Sequence, residues 1–432
     1  MTQDTTHKSA TRYPQVEASL RRLEEVGDAL RKRPLQDRVD VIGELLNRFG
    51  EAESEWHETL VDHTVKASGF SKEGVKAGLR LALEDWGHSA LQSLVDQELG
   101  SPESMHDSPP IGHSLTSVIL AGVIPMPNLL NTVLPLVVGS PVIVKPSQRD
   151  PYTPDLVAKC LSDIDSEFGR CIEVVSLEST DDPAMRLFLT SPCVMASGSD
   201  ETIQQIQSRL SSNQSFIAYG HKFSIAVVNS SSLKEPNQTE DIAEALSIDM
   251  ALWDQLGCLS PAAIYVLGPE ADHTRIELME ALAEKLADRE EEWPRGEASK
   301  QTRADIRRER DEAEMRATVS GGPALRGSQN SNWTVISEPQ PDWRPTPLHR
   351  FIRLYPVSDS SELQSILQPM QRHLSCAAVV GFAPNLPTEK ELRSALGELG
   401  FSRLCPAGRL QFPPLAWPHD GRPVLLPLTQ LK

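Results

Sequence analysis

The sequence predicts an α/β protein built on doubly wound parallel sheets. Strand patterns rich in β-branched residues alternate with amphipathic helix patterns along most of the 432 residues, as in chains whose parallel strands are joined by helices. A run of 31 residues from Ser114 to Val144 contains no Asp, Glu, Lys or Arg, as expected of strands buried on both faces. A chain of this length exceeds one ordinary core, so we expect two or three packed subdomains.

The uncharged run is long enough to span a bilayer, but its composition favours a buried element of a soluble protein. Four prolines and two asparagines interrupt it, and a lipid-exposed helix would leave backbone groups unpaired there. The run is instead typical of a βαβ unit, with strand SLTSVILAGV, loop IPMPN, helix LLNTVLPLVVG and strand SPVIVKPS. The first residues, MTQDTTHKSATRYPQ, lack the apolar stretch of a signal peptide, so nothing predicts export.

The other elements follow from hydrophobic periodicity and from breaker residues. Before the βαβ unit, the pattern predicts two amphipathic helices separated by Pro34 and a third from Lys72 to Gln97. After it, the pattern predicts helices at 154–168, 183–189, 242–252, 271–285, 360–374 and 388–399, with strands at 171–176, CVMASG, FIAYGHKFSIAVVN (two strands), CLSPAAIYVLG, NWTVISE, HRFIRLYPV and CAAVVGF. Residues 289–316 mix both signs of charge and predict a solvated helix, and residues 318–347 predict a surface loop.

Charge and cysteine content exclude several classes of protein. The net charge of -18 argues against nucleic acid as a partner, because phosphate binding needs a basic surface. The six cysteines form no CxxC pair, which argues against a zinc ribbon and a secreted disulfide scaffold, and we predict no metal. A reducing cytoplasm is the expected location.

Two short motifs are candidates for a nucleotide site. In VIVKPSQRDPYTP a strand ends at Lys145, followed by Ser147, and a lysine there can bind ribose hydroxyls or a phosphate; the alternative is an exposed lysine at a strand end. In MASGSDETI, Gly198 and Ser199 precede a helix whose N–H groups can receive a phosphate. Asp200 and Thr202 would serve equally well as helix caps there.

A third motif, WDQLGCLSPAAIYV, places Cys258 between a helix and a strand. Such a junction is accessible in a way that the middle of a strand is not, although a lone cysteine is more often a small buried apolar residue.

Together these motifs resemble the aldehyde dehydrogenase superfamily, and within it the acyl-CoA reductase branch, the fatty-acid reductase component associated with bacterial luciferase systems. The K-P-S strand end, the G-S turn about 50 residues later and Cys258 about 60 residues further on match the order of the superfamily's motifs. The segments D-Q-x-x-C-x-S-P, YGHKFSIAVV and RLCPAGRLQFPPLAWPHDGRP look like the branch's own sequences. The resemblance covers residues Ser117 to Pro423.

The resemblance implies an aldehyde-dehydrogenase-like fold, with a Rossmann-like cofactor domain and an α/β catalytic domain. We expect the N-terminal helices and the dinucleotide-binding domain in residues 1–228, the catalytic domain in 229–410, and a C-terminal tail in 411–432 that returns to the body.

The resemblance also implies a reductase that works through a cysteine. The Cys258 thiolate would attack an acyl thioester, and hydride transfer would turn the acyl-enzyme into an aldehyde. Aldehyde-oxidising relatives activate water with a glutamate near the position of AYGHK, where this chain has no Asp or Glu between Glu201 and Glu235, and this favours thioester reduction. His221 could transfer a proton, but a structural role is the better interpretation.

The resemblance assigns the cofactor site to Lys145, Ser147, Arg149, Gly198 and Ser199. Relatives that prefer NAD often have a glutamate where this chain has Gln148, and Arg149 follows it. A neutral and then a basic residue predict NADPH, with NADH as an acceptable alternative.

One position departs from the superfamily. Its oxyanion-stabilising asparagine corresponds here to Val123, which has no side-chain donor, so we expect the backbone N–H of Cys258, with Asn128, to take that role.

Three functions remain open from the sequence: an acyl thioester reductase, an acyl phosphate reductase, and a catalytically impaired binding or scaffold subunit. The expected partners are acyl-CoA or an acyl-carrier thioester and an acyl-activating or acyl-carrier protein. Association into oligomers is left open.

Overall fold

The computed structural model describes residues 14–100 and 111–430. The first 13 residues, part of the stretch for which we predict no signal peptide, lie outside the described residues. Contacts divide the chain into two compact units, one within residues 1–45, 95–220 and 425–432, the other within 46–94 and 221–424. No helix in the described ranges is both long and apolar enough to cross a membrane.

The first unit contains a five-stranded sheet in which all strands are parallel, in the order β3-β2-β1-β4-β5. Its strands are β1 Thr116–Ile119, β2 Val142–Lys145, β3 Ile172–Val174, β4 Cys193–Ser197 and β5 Ser215–Tyr219. All residues of β1 and β2 are buried, so the uncharged run does form the sheet core. The strand order reverses between β1 and β4, and ligands of such sheets bind beyond the carboxyl ends of the strands at that point.

The second unit contains a seven-stranded sheet in the order β12-β11-β6-β7-β10-β9-β8. Its strands are β6 Phe223–Asn229, β7 Pro261–Leu267, β8 Ala324–Gly327, β9 Thr334–Ser337, β10 Phe351–Val357, β11 Leu374–Val380 and β12 Arg403–Cys405. Only the β8–β9 pair is antiparallel among the pairs that the described strands form. The seven residues of β7 are all buried, so this strand lies at the centre of the core.

Helices cover both sheets, as the amphipathic patterns predict. In chain order they are α1 Pro14–Lys32, α2 Leu35–Gly50, α3 Glu55–Ser68, α4 Lys72–Leu83, α5 His88–Leu99, α6 Pro125–Val137, α7 Thr153–Ile164, α8 Ser166–Gly169, α9 Asp182–Phe188, α10 Asp200–Gln207, α11 Pro236–Ala251, α12 Ala271–Glu292, α13 Lys300–Ala317, α14 Ser360–Leu367 and α15 Pro387–Glu398. The predicted helix from Lys72 to Gln97 is two helices, α4 and α5, and α3 was not predicted.

Three of the loop and strand predictions need correction. IPMPN is not a loop, because α6 begins at Pro125, where the missing N–H costs nothing and the fixed φ suits a helix. The segment 318–347 contains the strand β8 as well as β9. The two strands of FIAYGHKFSIAVVN belong to different sheets, because three residues between β5 and β6 are too few for a parallel crossover.

The contacts also divide the chain differently from the predicted boundaries. Residues 221–228, placed above with the cofactor domain, lie in the second unit, because β6 pairs with β7 and β11. Residues 46–94 and 411–424 lie in the second unit as well.

Candidate active site

Lys145 is the last residue of β2, at the carboxyl edge of the first sheet. Lys145 is buried, with 6% of its surface exposed to solvent. Burial lowers the pKa of its ammonium group, and the carboxylate of Glu178 raises it in part. A buried ammonium group loses water and gains from any acceptor oxygen that replaces it. The position therefore fits the hydroxyl or phosphate oxygens of a nucleotide.

Ser147 braces the loop that follows this strand. Its hydroxyl donates a hydrogen bond of 2.6 Å to the carbonyl oxygen of Gly122 and accepts one of 3.1 Å from the backbone N–H of Arg149. Because the hydroxyl carries one proton, Ser147 has no further hydrogen to donate. Its demonstrated contacts tie the end of β2 to the loop after β1.

The next two residues, Gln148 and Arg149, are both exposed. Both side chains are therefore accessible at the carboxyl edge of the sheet. The sequence predicts that these two residues determine the preference for a cofactor with a 2'-phosphate.

The turn before α10 is closed by its own contacts. Gly198 N–H donates to the carbonyl oxygen of Tyr219 at 3.1 Å, and Ser199 is the N-cap, with its hydroxyl accepting from the N–H of Thr202 at 3.3 Å. The cap is thus Ser199, and the first turn carries Asp200 and Glu201. These two carboxylates already occupy the positive end of the helix dipole, which weakens its attraction for a phosphate.

Asn128 lies in α6, where its residue surface is 1% exposed. Its side-chain N–H donates to a carboxylate oxygen of Asp150 at 2.7 Å, and the other oxygen of Asp150 accepts from the N–H of Thr153 at the start of α7. One amide hydrogen of Asn128 therefore holds the capping carboxylate of α7. Val123 is buried in the loop after β1, and the oxyanion role predicted for Asn128 stays a prediction.

Cys258 lies in a tight turn directly before β7, in the second unit. The N–H of Ser260 donates to the carbonyl oxygen of Gly257 at 3.0 Å and closes the turn. The hydroxyl of Ser224, in β6, donates to the carbonyl oxygen of Cys258 at 2.9 Å. Cys258 is exposed, whereas Cys405 is partly buried and the other four cysteines are buried.

Three residues just before this turn, separated from it by Leu256, have left-handed backbone conformations. Trp253, Asp254 and Gln255 have φ values of 53°, 48° and 63°, which cost free energy for residues with a Cβ and persist only where contacts fix them. The carboxylate of Asp254 forms an ion pair of 2.8 Å with Arg350 and accepts from the N–H of Gly296 at 2.9 Å. The buried Asp254–Arg350 pair thus supports the strained segment.

A second run of three residues with left-handed backbone conformations lies next to the first and is joined to it by an ion pair. Leu348, His349 and Arg350 have φ values of 58°, 58° and 63°. The amide of Gln255 then fixes the strand that follows: it accepts from the N–H of Phe351 at 2.8 Å and donates to the carbonyl oxygens of Phe351 and Pro261. The D-Q pair of the motif thus joins the segment before Cys258 to β7 and β10.

Sequence reasoning did not identify Arg350. The D-Q pair was the available signal, because a buried aspartate needs a cation, but nothing in the sequence says which of the many arginines supplies it.

The thiol of Cys258 is less acidic than an ordinary cysteine. Crowding by surrounding protein atoms raises its pKa to about 11, and the negative charge of Asp420 acts in the same direction, while the N–H groups of Cys258 and Leu259 oppose both. The residue as a whole is nevertheless exposed, so solvent reaches part of its surface. The resting thiol is protonated near neutral pH.

His221 is exposed and contacts another histidine. Its ring lies 5.6 Å from that of His373, and its carbonyl oxygen lies 3.1 Å from Nδ1 of His373. These contacts fit the structural role that the sequence favours.

A cavity of about 330 Å³ lies elsewhere in the second unit, between residues of α3 and α4 and the end of α12. Its lining includes Glu58, Glu73, Lys76 and Arg80 and none of the predicted site residues.

The family described as acyl-CoA reductase (LuxC) matches residues 30–431. The chain belongs to this family. This match confirms the resemblance found in the sequence. The function of the family is the reduction of acyl thioesters to aldehydes.

Similar proteins within the family include the long-chain acyl-protein thioester reductase 2 of Photobacterium leiognathi, 24% identical over 386 residues, which cover 86% of this chain and 76% of that protein. The long-chain acyl-protein thioester reductase of Vibrio harveyi is 25% identical over 356 residues, covering 79% and 70%.

Solved structures confirm the aldehyde-dehydrogenase-like fold. A putative methylmalonate-semialdehyde dehydrogenase from Sinorhizobium meliloti, solved with NAD, aligns with a TM-score of 0.71 at 14% identity, covering 96% of this chain and 88% of that one. A NAD-dependent benzaldehyde dehydrogenase from Corynebacterium glutamicum aligns with a TM-score of 0.66 at 15% identity, covering 91% and 86%. The fold and the family together indicate a nicotinamide cofactor.

Proposed function

We propose that this member of the acyl-CoA reductase family reduces a long-chain acyl thioester to an aldehyde, with Cys258 carrying the acyl group and NADPH as the preferred reductant. One observation carries the choice of residue: Cys258 is the exposed cysteine of the six, and it lies in a turn braced on both sides. The long acyl chain, and a protein thiol as its carrier beside coenzyme A, are suggested by the names of the relatives.

The residues of the chain account for the first half of the reaction. The Cys258 thiolate adds to the thioester carbonyl carbon, the carbon–sulfur bond to the carrier breaks, and the carrier thiolate leaves with the proton that Cys258 has given up. The backbone N–H of Cys258 is the donor we assign to the carbonyl oxygen as it gains negative charge. The product of this half is an acyl group bound to Cys258.

When bound, the reduced nicotinamide supplies the hydride that brings the acyl carbon to the oxidation level of an aldehyde. The bond to Cys258 then breaks, which releases the aldehyde and restores the thiolate. Water takes no part, in agreement with the absence of Asp and Glu between Glu201 and Glu235. Hydrolysis of the acyl group would otherwise compete with reduction.

The first unit offers residues that fit the cofactor. The buried ammonium of Lys145 suits ribose hydroxyls or a phosphate, and the exposed Arg149 suits a 2'-phosphate. The uncharged Gln148 does not repel that phosphate. Gly198 and Ser199 are less well supported as cofactor-binding residues, because the first turn of α10 carries two carboxylates that would repel a phosphate.

Turnover with defined thioesters tests the proposal. The protein is mixed with NADPH or NADH and with fatty acyl-CoAs of several lengths, while cofactor oxidation is followed and aldehyde is trapped. We expect stoichiometric aldehyde with the wild type and with Cys405→Ser, and none with Cys258→Ala. Turnover by Cys258→Ala, or aldehyde formed from acyl phosphate but not from any thioester, would overturn it. No observation favours the acyl phosphate or scaffold alternatives.

A further inference from the structure

Ser224, the second residue of β6, joins the turn that carries Cys258 to a neighbouring strand. Its hydroxyl donates to the carbonyl oxygen of Cys258 at 2.9 Å and accepts from the N–H of Cys376, in β11, at 3.2 Å. Ser224 is fully buried. A hydroxyl carries one proton, so the only hydrogen that the Ser224 side chain can donate is directed at the backbone of Cys258.

The strands on both sides of Ser224 pair irregularly with β6. The register with β7 shifts between Ser224 and Ile225. The register with β11 shifts between Leu374 and Ala377, and Cys376 lies within that shifted stretch. Irregular pairing of this kind is frequent next to active sites, where it redirects a side chain. Both irregularities lie beside the hydroxyl that contacts the Cys258 turn.

The hydrogen bond from Ser224 is made to the central peptide of this turn. The turn runs from Gly257 to Ser260, so its central residues are Cys258 and Leu259. Leu259 does not have the positive φ that the corresponding position of a type II turn requires. Rotating the central peptide would convert the turn toward type II and move the carbonyl oxygen of Cys258 away from Ser224. The hydrogen bond therefore opposes this rotation.

Fixing this carbonyl group also fixes the N–H of Leu259. The two groups belong to one trans peptide and point in opposite directions. The N–H of Leu259 thus points away from Ser224, and it donates to no oxygen atom of the described ranges. Its nitrogen is only a few bonds from the sulfur of Cys258, and it lowers the pKa of that thiol in part. A backbone N–H left without an acceptor beside a nucleophile can stabilise negative charge that develops there.

We propose that Ser224 is a positioning residue for the acylation of Cys258: it fixes the peptide between Cys258 and Leu259 so that the N–H of Leu259 can donate to negative charge at the reaction centre. The inference rests on the proposed function and adds a second backbone donor to the N–H of Cys258. A serine that only joined β6 to β11 would account for the bond from Cys376 but not for the bond to the turn.

Ser224→Ala tests this role in single-turnover acylation by a long-chain acyl-CoA, followed by intact mass spectrometry. Because the peptide is then no longer fixed, the limiting acylation rate should fall about tenfold, less than when a donor is removed outright. The acyl-CoA concentration that gives half of the limiting rate should stay constant, because Ser224 is buried. Labelling of Cys258 by iodoacetamide at pH 8 should slow as well, since a thiolate without that N–H donor is less stable.

Two further variants separate positioning from packing. Ser224→Thr keeps the hydroxyl and should restore most of the acylation rate and of the labelling rate. Ser375→Ala removes a hydroxyl that is equally buried, in the strand that also carries Cys376. The hydroxyl of Ser375 contacts the sulfur of Cys376 rather than the Cys258 turn, so Ser375→Ala should change neither rate.

A lower denaturant midpoint of Ser224→Ala with wild-type acylation and labelling rates would overturn the inference, because Ser224 would then only join strands. A folded Ser224→Thr that acylates as slowly as Ser224→Ala would overturn it too. If Ser224→Ala does not fold, Ser224→Cys replaces it, because a thiol is a weak donor; slower acylation is expected, and an unchanged rate would refute the role. Failure of the wild type itself to acylate would instead overturn the proposed function.

Discussion

Cys258 is exposed, and yet its thiol holds its proton more tightly than an ordinary cysteine. The thiolate is the nucleophile of cysteine chemistry, so a raised pKa keeps the resting enzyme unreactive. Reaction with a thioester therefore requires the proton to leave the sulfur as the bond to the acyl carbon forms.

The alkylation rate of Cys258 should therefore keep rising with pH beyond the range of an ordinary thiol. In the protein without substrate we expect iodoacetamide labelling to increase about tenfold per pH unit from pH 7 to 9 without levelling off. Peptide mapping by mass spectrometry assigns the label, since the buried cysteines serve as internal controls. A plateau below pH 8 would contradict the raised pKa.

Arg149 should set the preference between the two nicotinamide cofactors. Because its guanidinium would pair with a 2'-phosphate that NADH lacks, Arg149→Ala should raise the KM for NADPH about tenfold, which corresponds to about 1.4 kcal/mol. The KM for NADH should stay constant. Arg170→Ala, an exposed arginine of the same unit, is the control, and equal changes for both cofactors would exclude this role.

Among the elements, the segment before Cys258 depends on a long-range pair of strained turns. Residues 253–255 and 348–350 are both left-handed, and the Asp254–Arg350 ion pair and the Gln255 amide join them. Arg350 also pairs with Glu290 at 2.9 Å. The arrangement explains why an aspartate and a glutamine precede Cys258 by four and three residues.

Asp254→Asn should destabilise the protein far more than the loss of an exposed charge. The variant removes one of the two carboxylates that pair with the buried Arg350 and leaves only Glu290, so we expect a loss of about 2 kcal/mol in the free energy of unfolding. Glu280→Gln breaks an exposed pair with Arg326 and should cost less than about 1 kcal/mol. Denaturant titration of both variants measures the difference, and similar midpoints would refute the structural role of the pair.

Sequence patterns predicted most elements because each depends on neighbouring residues. The parallel core strands β1 and β2 can be recognised from a run of residues without charges. The wrong predictions concern features that depend on contacts between residues far apart in the sequence. For example, β5 and β6 belong to different sheets although only three residues separate them. Likewise, the motif drew attention to Asp254, whereas its ion-pair partner Arg350 lies roughly 100 residues away along the chain.

At the scale of the whole molecule, a net charge of -18 must accommodate anionic cofactors and thioesters. The charged groups predicted to bind the cofactor, Lys145 and Arg149, are both basic. We therefore expect phosphate binding to depend on these two basic residues in an acidic protein, and to weaken as salt screens the exposed Arg149.

NADPH should stabilise the protein through Lys145. A ligand that binds only the folded state at 100 times its Kd adds about 2.7 kcal/mol, so the thermal midpoint should rise by several degrees. Lys145→Met removes the buried ammonium and should abolish the rise, whereas Lys159→Met, an exposed lysine of α7, should preserve it. Differential scanning fluorimetry with and without NADPH gives the answer, and an unchanged rise in Lys145→Met would remove Lys145 from the site.

The central claim is that Cys258 carries the acyl group. Intact mass spectrometry of the protein after exposure to a long-chain acyl-CoA, followed by peptide mapping and addition of NADPH, tests it most directly. The account predicts one acyl adduct per chain, located on Cys258, which NADPH discharges as aldehyde. An adduct on another residue, or aldehyde formed by an enzyme that never becomes acylated, would contradict it.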